Sequence, residues 1–226
     1  MFLKSILAHT SFLFLLASTA SVSEALPVKN FSQVGGTETL LRGAQPGKSA
    51  GLLRDLGVDA VLIFKSDTRG EVTKEVNALL SSGLKESDVH HIPMAWKDLD
   101  LGEACLQTVG ALEILSRAVA DGKTVFFHCT AGEDRTGMLA GLNRVLHENA
   151  DVEQMFEEEL CKKGYSNGNP GKPKIVIDQI ESGLTPLYFA LAEKIAAAKS
   201  SGRKIGPGLC RVLNPQPVAR SCRSIN

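Results

Sequence analysis

Ten consecutive residues concentrate the reactive chemistry of the chain: His128-Cys129-Thr130-Ala131-Gly132-Glu133-Asp134-Arg135-Thr136-Gly137. Val125, Phe126 and Phe127 before them read as a buried strand, and the small and apolar residues after Thr136 read as a helix. A loop between a strand end and a helix start turns its backbone N–H groups into a concavity that binds a tetrahedral oxyanion such as phosphate. The positive end of the helix also favours a thiolate at Cys129. Arg135 can direct two N–H groups onto two phosphate oxygens. Gly132 lets the backbone turn with its amides inward, and Gly137 is expected to let the helix pack closely against the loop.

These parts assemble one reaction. The Cys129 thiolate attacks phosphorus and forms a cysteinyl-phosphate. The loop residues Thr130, Ala131, Gly132, Glu133 and Asp134, together with Arg135, hold the charge that develops on the equatorial oxygens. The Thr136 hydroxyl can donate to the thiolate and help it leave in the second step. Arginine and amides supply the positive field, so no metal or other cofactor is expected, and no His/Cys/Asp spacing resembles a metal site.

The elements that must position this loop follow from periodicity. Residues 26–50 read as a loop ending in a turn at Gln45-Pro46-Gly47. Residues 58–64, 89–94 and 124–128 are β-rich apolar runs. Residues 50–56, 72–82, 104–120, 136–148, 152–163 and 186–199 have helical spacing. Strands alternating with helices predict an α/β fold with a central, mainly parallel sheet flanked by helices. Residues 164–174, rich in Gly, Asn, Pro and Lys, read as a loop, weighed as pocket rim or plain surface excursion; Tyr165 and Asn169 would offer hydrogen bonds at the rim.

His128-Cys129-x5-Arg135-Thr136 resembles the phosphate-binding loop of the protein tyrosine phosphatase superfamily, and Thr130-Ala131-Gly132 and Thr136-Gly137 strengthen the likeness. Leu41-Arg42-Gly43-Ala44-Gln45-Pro46 resembles the opening segment of its compact dual-specificity branch. The likeness runs over residues 38–195 in element order, but the loop is its specific part. It implies that an aspartate on a loop about thirty residues before the cysteine protonates the leaving oxygen. Trp96-Lys97-Asp98 resembles the family's Trp-Pro-Asp element, with Lys97 in place of proline, so Asp98 is the expected acid. Asp100 is the alternative, although it fits better as the cap of the helix that follows.

The resemblance also frames the substrate. The exported bacterial branch includes tyrosine-phosphatase-like phytases, which implies inositol polyphosphates as substrates, met by Lys97, Lys162, Lys163, Lys172, Lys174 and a basic tail. Glu133 and Asp134 speak for a less positive pocket. Protein tyrosine or dual-specificity dephosphorylation is the second reading. A pseudophosphatase that binds phosphate esters without turnover is the reading from another class.

The N-terminus carries Lys4, an apolar centre at Phe12-Leu13-Phe14-Leu15-Leu16 and Ser23-Glu24-Ala25, the pattern of a cleavable export signal. Cleavage is expected after Ala25, with Ala20 as the alternative. The apolar stretch is short for a membrane span, so no stable anchor is expected after cleavage. The expected organisation is a signal over 1–25, a phosphatase domain over 26–200 and a basic, Cys-containing tail over 201–226, in a secreted or periplasmic protein. Export places the five cysteines in an oxidising setting, and the odd count leaves at least one thiol free. With Cys129 kept for chemistry, Cys105, Cys161, Cys210 and Cys222 allow three pairings, of which Cys210–Cys222 is the simplest to draw. Lys+Arg and Asp+Glu are 25 each, and this zero net charge argues against a dedicated nucleic-acid binder.

Overall fold

A computed structural model describes residues 28–94, 100–213, 215–216, 218 and 220–222. The expected export signal over 1–25, and Trp96, Lys97 and Asp98, lie outside the described residues. Five strands form one sheet: β1 (Ser32–Gln33), β2 (Leu40–Gly43), β3 (Ala60–Phe64), β4 (Val89–Ile92) and β5 (Val125–His128), in the order β1-β2-β5-β3-β4. β2, β5, β3 and β4 run parallel, and β1 is an antiparallel edge on β2. The α/β class with a mainly parallel sheet is therefore the observed one. The segment expected to be a loop before residue 50 contributes both β1 and β2, which are too short to show a sequence period.

Both faces of the sheet are covered, which explains the unbroken apolar runs of β3 and β5. Leu40, Leu62, Phe64, Val125 and Phe127 face the larger core, beneath α3 (Leu101–Ala120), α4 (Asp134–Glu148) and α7 (Thr185–Ser200). Leu41, Val61, Ile63 and Phe126 face a smaller one, closed by α1 (Leu52–Asp55) and α2 (Glu71–Ser81). The one-residue alternation along each strand sends neighbours to opposite cores.

α3 begins three residues before its expected start because Asp100 caps it, accepting from the Gly102 and Glu103 amides at 2.9 and 3.4 Å. The helix expected over 152–163 opens as α5 (Val152–Met155), widens into a π turn at Phe156–Leu160 and tightens at Cys161–Lys163. The π turn brings Glu159 inward, where its carboxylate meets Arg42 and Arg144, each at 3.1 Å. Another segment, α6 (Lys174–Gln179) with a π turn at Ile180–Leu184, joins residues 164–173, the outer loop, to α7 and is not expected from periodicity.

The cysteines pair across the fold. Cys105 bonds Cys210, and Cys161 bonds Cys222, with Cys129 the free thiol. The Cys210–Cys222 expectation is thus corrected. Nearness in sequence does not decide pairing; the packing lays Cys210 on α3 and Cys222 beside the turn that follows α5.

Candidate active site

Cys129 follows the last residue of β5, the central strand, and Gly43 of β2 and Ile63 of β3 flank His128 in register. The site therefore lies at the carboxyl ends of three parallel strands, where open α/β sheets offer a crevice. α4 starts at Asp134, so Cys129 faces the N-terminal end of a fifteen-residue helix.

The loop shape depends on where its carbonyls go, since every carbonyl turned outward leaves amides free to turn inward. Cys129 O accepts from His128 Nδ1 at 3.0 Å, and Thr130 O from the Gln45 amide at 3.2 Å. Ala131 O accepts from Asn30 Nδ2 at 2.8 Å, and Gly132 O from Arg42 Nη2 at 3.0 Å. Glu133 O takes the Gly137 amide at 2.8 Å, which starts the helix. Five successive carbonyls are thus held on the outside. Gly132 is required at its position: its φ is +75°, and a Cβ would stand 2.4 Å from the Gly43 carbonyl carbon.

Asn30, Arg42 and Gln45 were not singled out as site residues. Arg42-Gly43-Ala44-Gln45 entered only as part of a resemblance. Arg42 and Gln45 lie at and just after the end of the apolar pair Leu40-Leu41, a weak strand-end signal, and Asn30 carries none. Arg42 is fully buried, and its Nη1 also binds Glu159 O at 2.6 Å. Burial pushes its guanidinium down, and Glu159 works against that. Beneath His128, Nε2 stands 2.7 Å from Glu75 Oε1. Gln45 ties Glu75 to Lys65, and Lys65 pairs with Glu71 at 2.8 Å. A buried polar chain therefore underlies the cysteine, and His128 holds the Cys129 backbone.

The electrostatics suit a thiolate. Burial pushes the Cys129 thiol up, but the Arg135 charge and the hydroxyl and amide of Thr136 together hold it below an ordinary thiol. The Thr136 hydroxyl is buried with no hydrogen-bond partner among the described residues, so it is available to the thiolate. Arg135 is placed by Nη1 on Met94 O at 2.9 Å and Nη2 on Thr130 Oγ1 at 3.3 Å. Its Nε is buried and unpartnered among the described residues, a donor available to an oxyanion.

Cys129 to Thr136 thus form one turn between the end of β5 and the first residues of α4, with the Glu133 and Asp134 carboxylates directed to residues 166–172. Asp98 lies outside the described residues, and the Asp100 carboxylate is engaged as a helix cap. Gly137 serves a different neighbour than expected: a Cβ there would stand 3.1 Å from Glu159 O, so it admits the π turn. Tyr165 is also corrected. It is fully buried, with its hydroxyl 2.9 Å from Thr185 Oγ1, so it offers nothing at a rim. Asn169 does reach the loop, donating to both Glu133 carboxylate oxygens at 3.1 and 3.2 Å. Lys172 turns inward to Glu133 and Asp134 and is not free for a substrate, whereas Lys174 is exposed and pairs with Asp178 on the surface.

The model of the tyrosine phosphatase family matches residues 37–154, which run from just before β2 through α4 and α5. No curated protein matches the chain. Among solved structures, TpbA of P. aeruginosa is 20% identical with a TM-score of 0.52, over 78% of this chain and 98% of that one. TpbA in complex with pTyr gives 22% identity and a TM-score of 0.52 over 74% and 88%. PTPMT1 gives 17% identity and a TM-score of 0.53 over 76% and 99%. At these identities the likeness is one of fold.

Proposed function

The chain belongs to the tyrosine phosphatase family, and on that premise we propose that it is an exported enzyme acting on inositol polyphosphates. It is a phosphatase of the metal-independent kind, and its substrate is a phosphorylated molecule. Cys129 is assigned as nucleophile and Arg135 as phosphate clamp. The thiolate forms the S–P bond as the P–O bond to the leaving group breaks. Inward amides and Arg135 carry the charge on the three equatorial oxygens. Asp98 is assigned to protonate the leaving oxygen and then to take a proton from the water that splits the cysteinyl-phosphate. Thr136 stabilises the departing thiolate.

The observation that carries the substrate class is the setting of the loop between two lysine-bearing hollows. One, of about 520 Å³, adjoins Thr130 and is lined by Lys48 and Lys74. Its acids are already engaged, Glu71 by Lys65 and Glu75 by His128 and Gln45. The other, of about 420 Å³, adjoins Glu133 and carries Lys162 and Lys163. A ring bearing several phosphates would place one ester in the loop and others toward these lysines. Export is supported by the N-terminal pattern and by the two disulfides, which an oxidising compartment maintains. The second reading, phosphotyrosyl protein, draws on TpbA, which is known in complex with pTyr.

The test is phosphate release from inositol hexakisphosphate and from phosphotyrosyl peptides, side by side, with the disulfides intact. Release from the inositol ester is expected, with Cys129→Ser lowering it by about 10⁴-fold or more. Release from peptides alone replaces the inositol reading with the protein one, and equal activity of parent and Cys129→Ser overturns the mechanism. Protein recovered outside the cytoplasm is expected to begin at residue 26; recovery of the whole chain inside the cytoplasm would sink the export proposal.

A further inference from the structure

The phosphate loop carries two acids, Glu133 and Asp134, against the single cation Arg135. A loop built to hold a thiolate and a phosphate dianion should not have a negative balance of its own. The outer loop removes that conflict. Lys172 is nearly buried, with its side chain 6% exposed, and its ammonium has three oxygens within 3.0 Å. Asp134 Oδ1 stands at 2.5 Å, Glu133 Oε2 at 3.0 Å and Gly164 O at 2.9 Å. The outer loop is pressed onto the same acids elsewhere. Gly164 sits where a Cβ would meet the Glu133 side chain at 3.2 Å, Asn169 donates to Glu133, and the Ser166 amide donates to Asp134 at 3.3 Å. Lys162 and Lys163 line the outer side of Glu133.

We propose that Lys172 is a positioning residue of the active site, whose ammonium offsets one of the two acidic charges of the phosphate loop, so that Arg135 and Lys172 together balance Glu133 and Asp134 around Cys129 and a bound phosphate. It acts through Glu133 and Asp134 and touches neither the thiol nor the substrate. The inference rests on the reading of Cys129 as an ionised nucleophile. The groups facing Cys129 are Arg135 and Thr136, which favour the thiolate, Asp134, which opposes it, and Arg42, which is itself paired with Glu159. Lys172 bears on this set by offsetting the member that opposes the thiolate. Burial holds the Asp134 carboxyl above the usual carboxylate range, and Lys172 works against that.

Cys129 is the one free cysteine, so alkylation by neutral iodoacetamide without reductant reads its thiolate directly, with no substrate. In the parent protein the alkylation midpoint is expected below that of an ordinary thiol. Lys172→Met should raise it by roughly half a pH unit to one unit. It should also weaken vanadate inhibition and raise KM by roughly threefold to tenfold, with a smaller change in kcat. Lys172→Arg should retain most of the parent behaviour. Adding Glu133→Gln and Asp134→Asn to Lys172→Met should bring the midpoint back, because the charges needing compensation are gone. A midpoint that Lys172→Met leaves unmoved, or that the two neutral replacements fail to restore, reduces Lys172 to a staple for the outer loop and overturns the proposal. If Lys172→Met does not fold, Glu133→Gln with Asp134→Asn in the otherwise native chain decides: a lower midpoint and tighter vanadate inhibition support the proposal, and an unchanged or higher midpoint overturns it. A parent midpoint equal to that of an ordinary thiol overturns the nucleophile reading itself and this inference with it, whereas a low parent midpoint indifferent to all variants overturns only this inference.

Discussion

Two loops meet at the active site, and they are held in opposite ways. In the phosphate loop, residues 129–133, three of five carbonyls are satisfied by Asn30, Arg42 and Gln45, which lie far away in sequence. In the outer loop, residues 164–173, the backbone carbonyls are taken by near neighbours. The Gly168 amide donates to Tyr165 O, Asn169 to Ser166 O and Lys172 to Asn169 O, and Asn169 Oδ1 takes the Gly171 amide. Its first turn is anchored by the disulfide at Cys161 and the buried Tyr165. Such a loop sets its own shape and bears on the phosphate loop through the Ser166 amide, Asn169 and Lys172. A loop whose carbonyls are gripped from separate segments is as rigid as the core behind it, which preorganised anion binding requires.

The contrast can be broken most directly at Arg42. Arg42→Met leaves Gly132 O and Glu159 without their buried partner, and we expect a loss of about 3–5 kcal/mol by denaturant unfolding. A loss below about 1 kcal/mol would mean the loop does not depend on this distant grip. Gly132→Ala meets both the positive φ and the Gly43 backbone, so the loop must shift: kcat/KM should fall about 100-fold or more, and the melting temperature should fall as well. Unchanged turnover would show that loop geometry is not limiting. Replacing Cys161 and Cys222 together by Ser releases the outer loop at its root. We expect about 2 kcal/mol of lost stability, read by thermal melting, with kcat/KM for a small aryl phosphate kept within about threefold. A collapse of activity would erase the distinction between the loops. Tyr165→Phe should be the mildest, costing about 1 kcal/mol for the bond to Thr185 and leaving turnover unchanged.

Much of the fold was legible. β3, β4 and β5, and α2, α3, α4 and α7, carry enough apolar residues at one period to declare themselves, and Asp100 declares the start of α3. β1 and β2 are too short to do so, and their importance comes from the parallel pairing of β2 with β5. The π turns at Phe156–Leu160 and Ile180–Leu184 have no period of their own, so the inward Glu159 and the helical stretch before α7 could not be anticipated. Among the site residues, the contiguous run Cys129 to Thr136 was visible because strand, loop and helix start are neighbours in sequence.

The sequence by itself determined the chemistry of that run: a thiol, a glycine where φ must be positive, and a guanidinium at the start of a helix, all within one local turn. Tertiary structure alone decided which partners hold it. Asn30, Arg42 and Lys172 reach the loop across 101, 90 and 38 residues of chain. It also decided that Cys105 pairs with Cys210 and Cys161 with Cys222. Local geometry is written in periods of two and 3.6 residues, whereas a contact between distant residues exists only once two cores have closed around the sheet and brought them within a few ångströms.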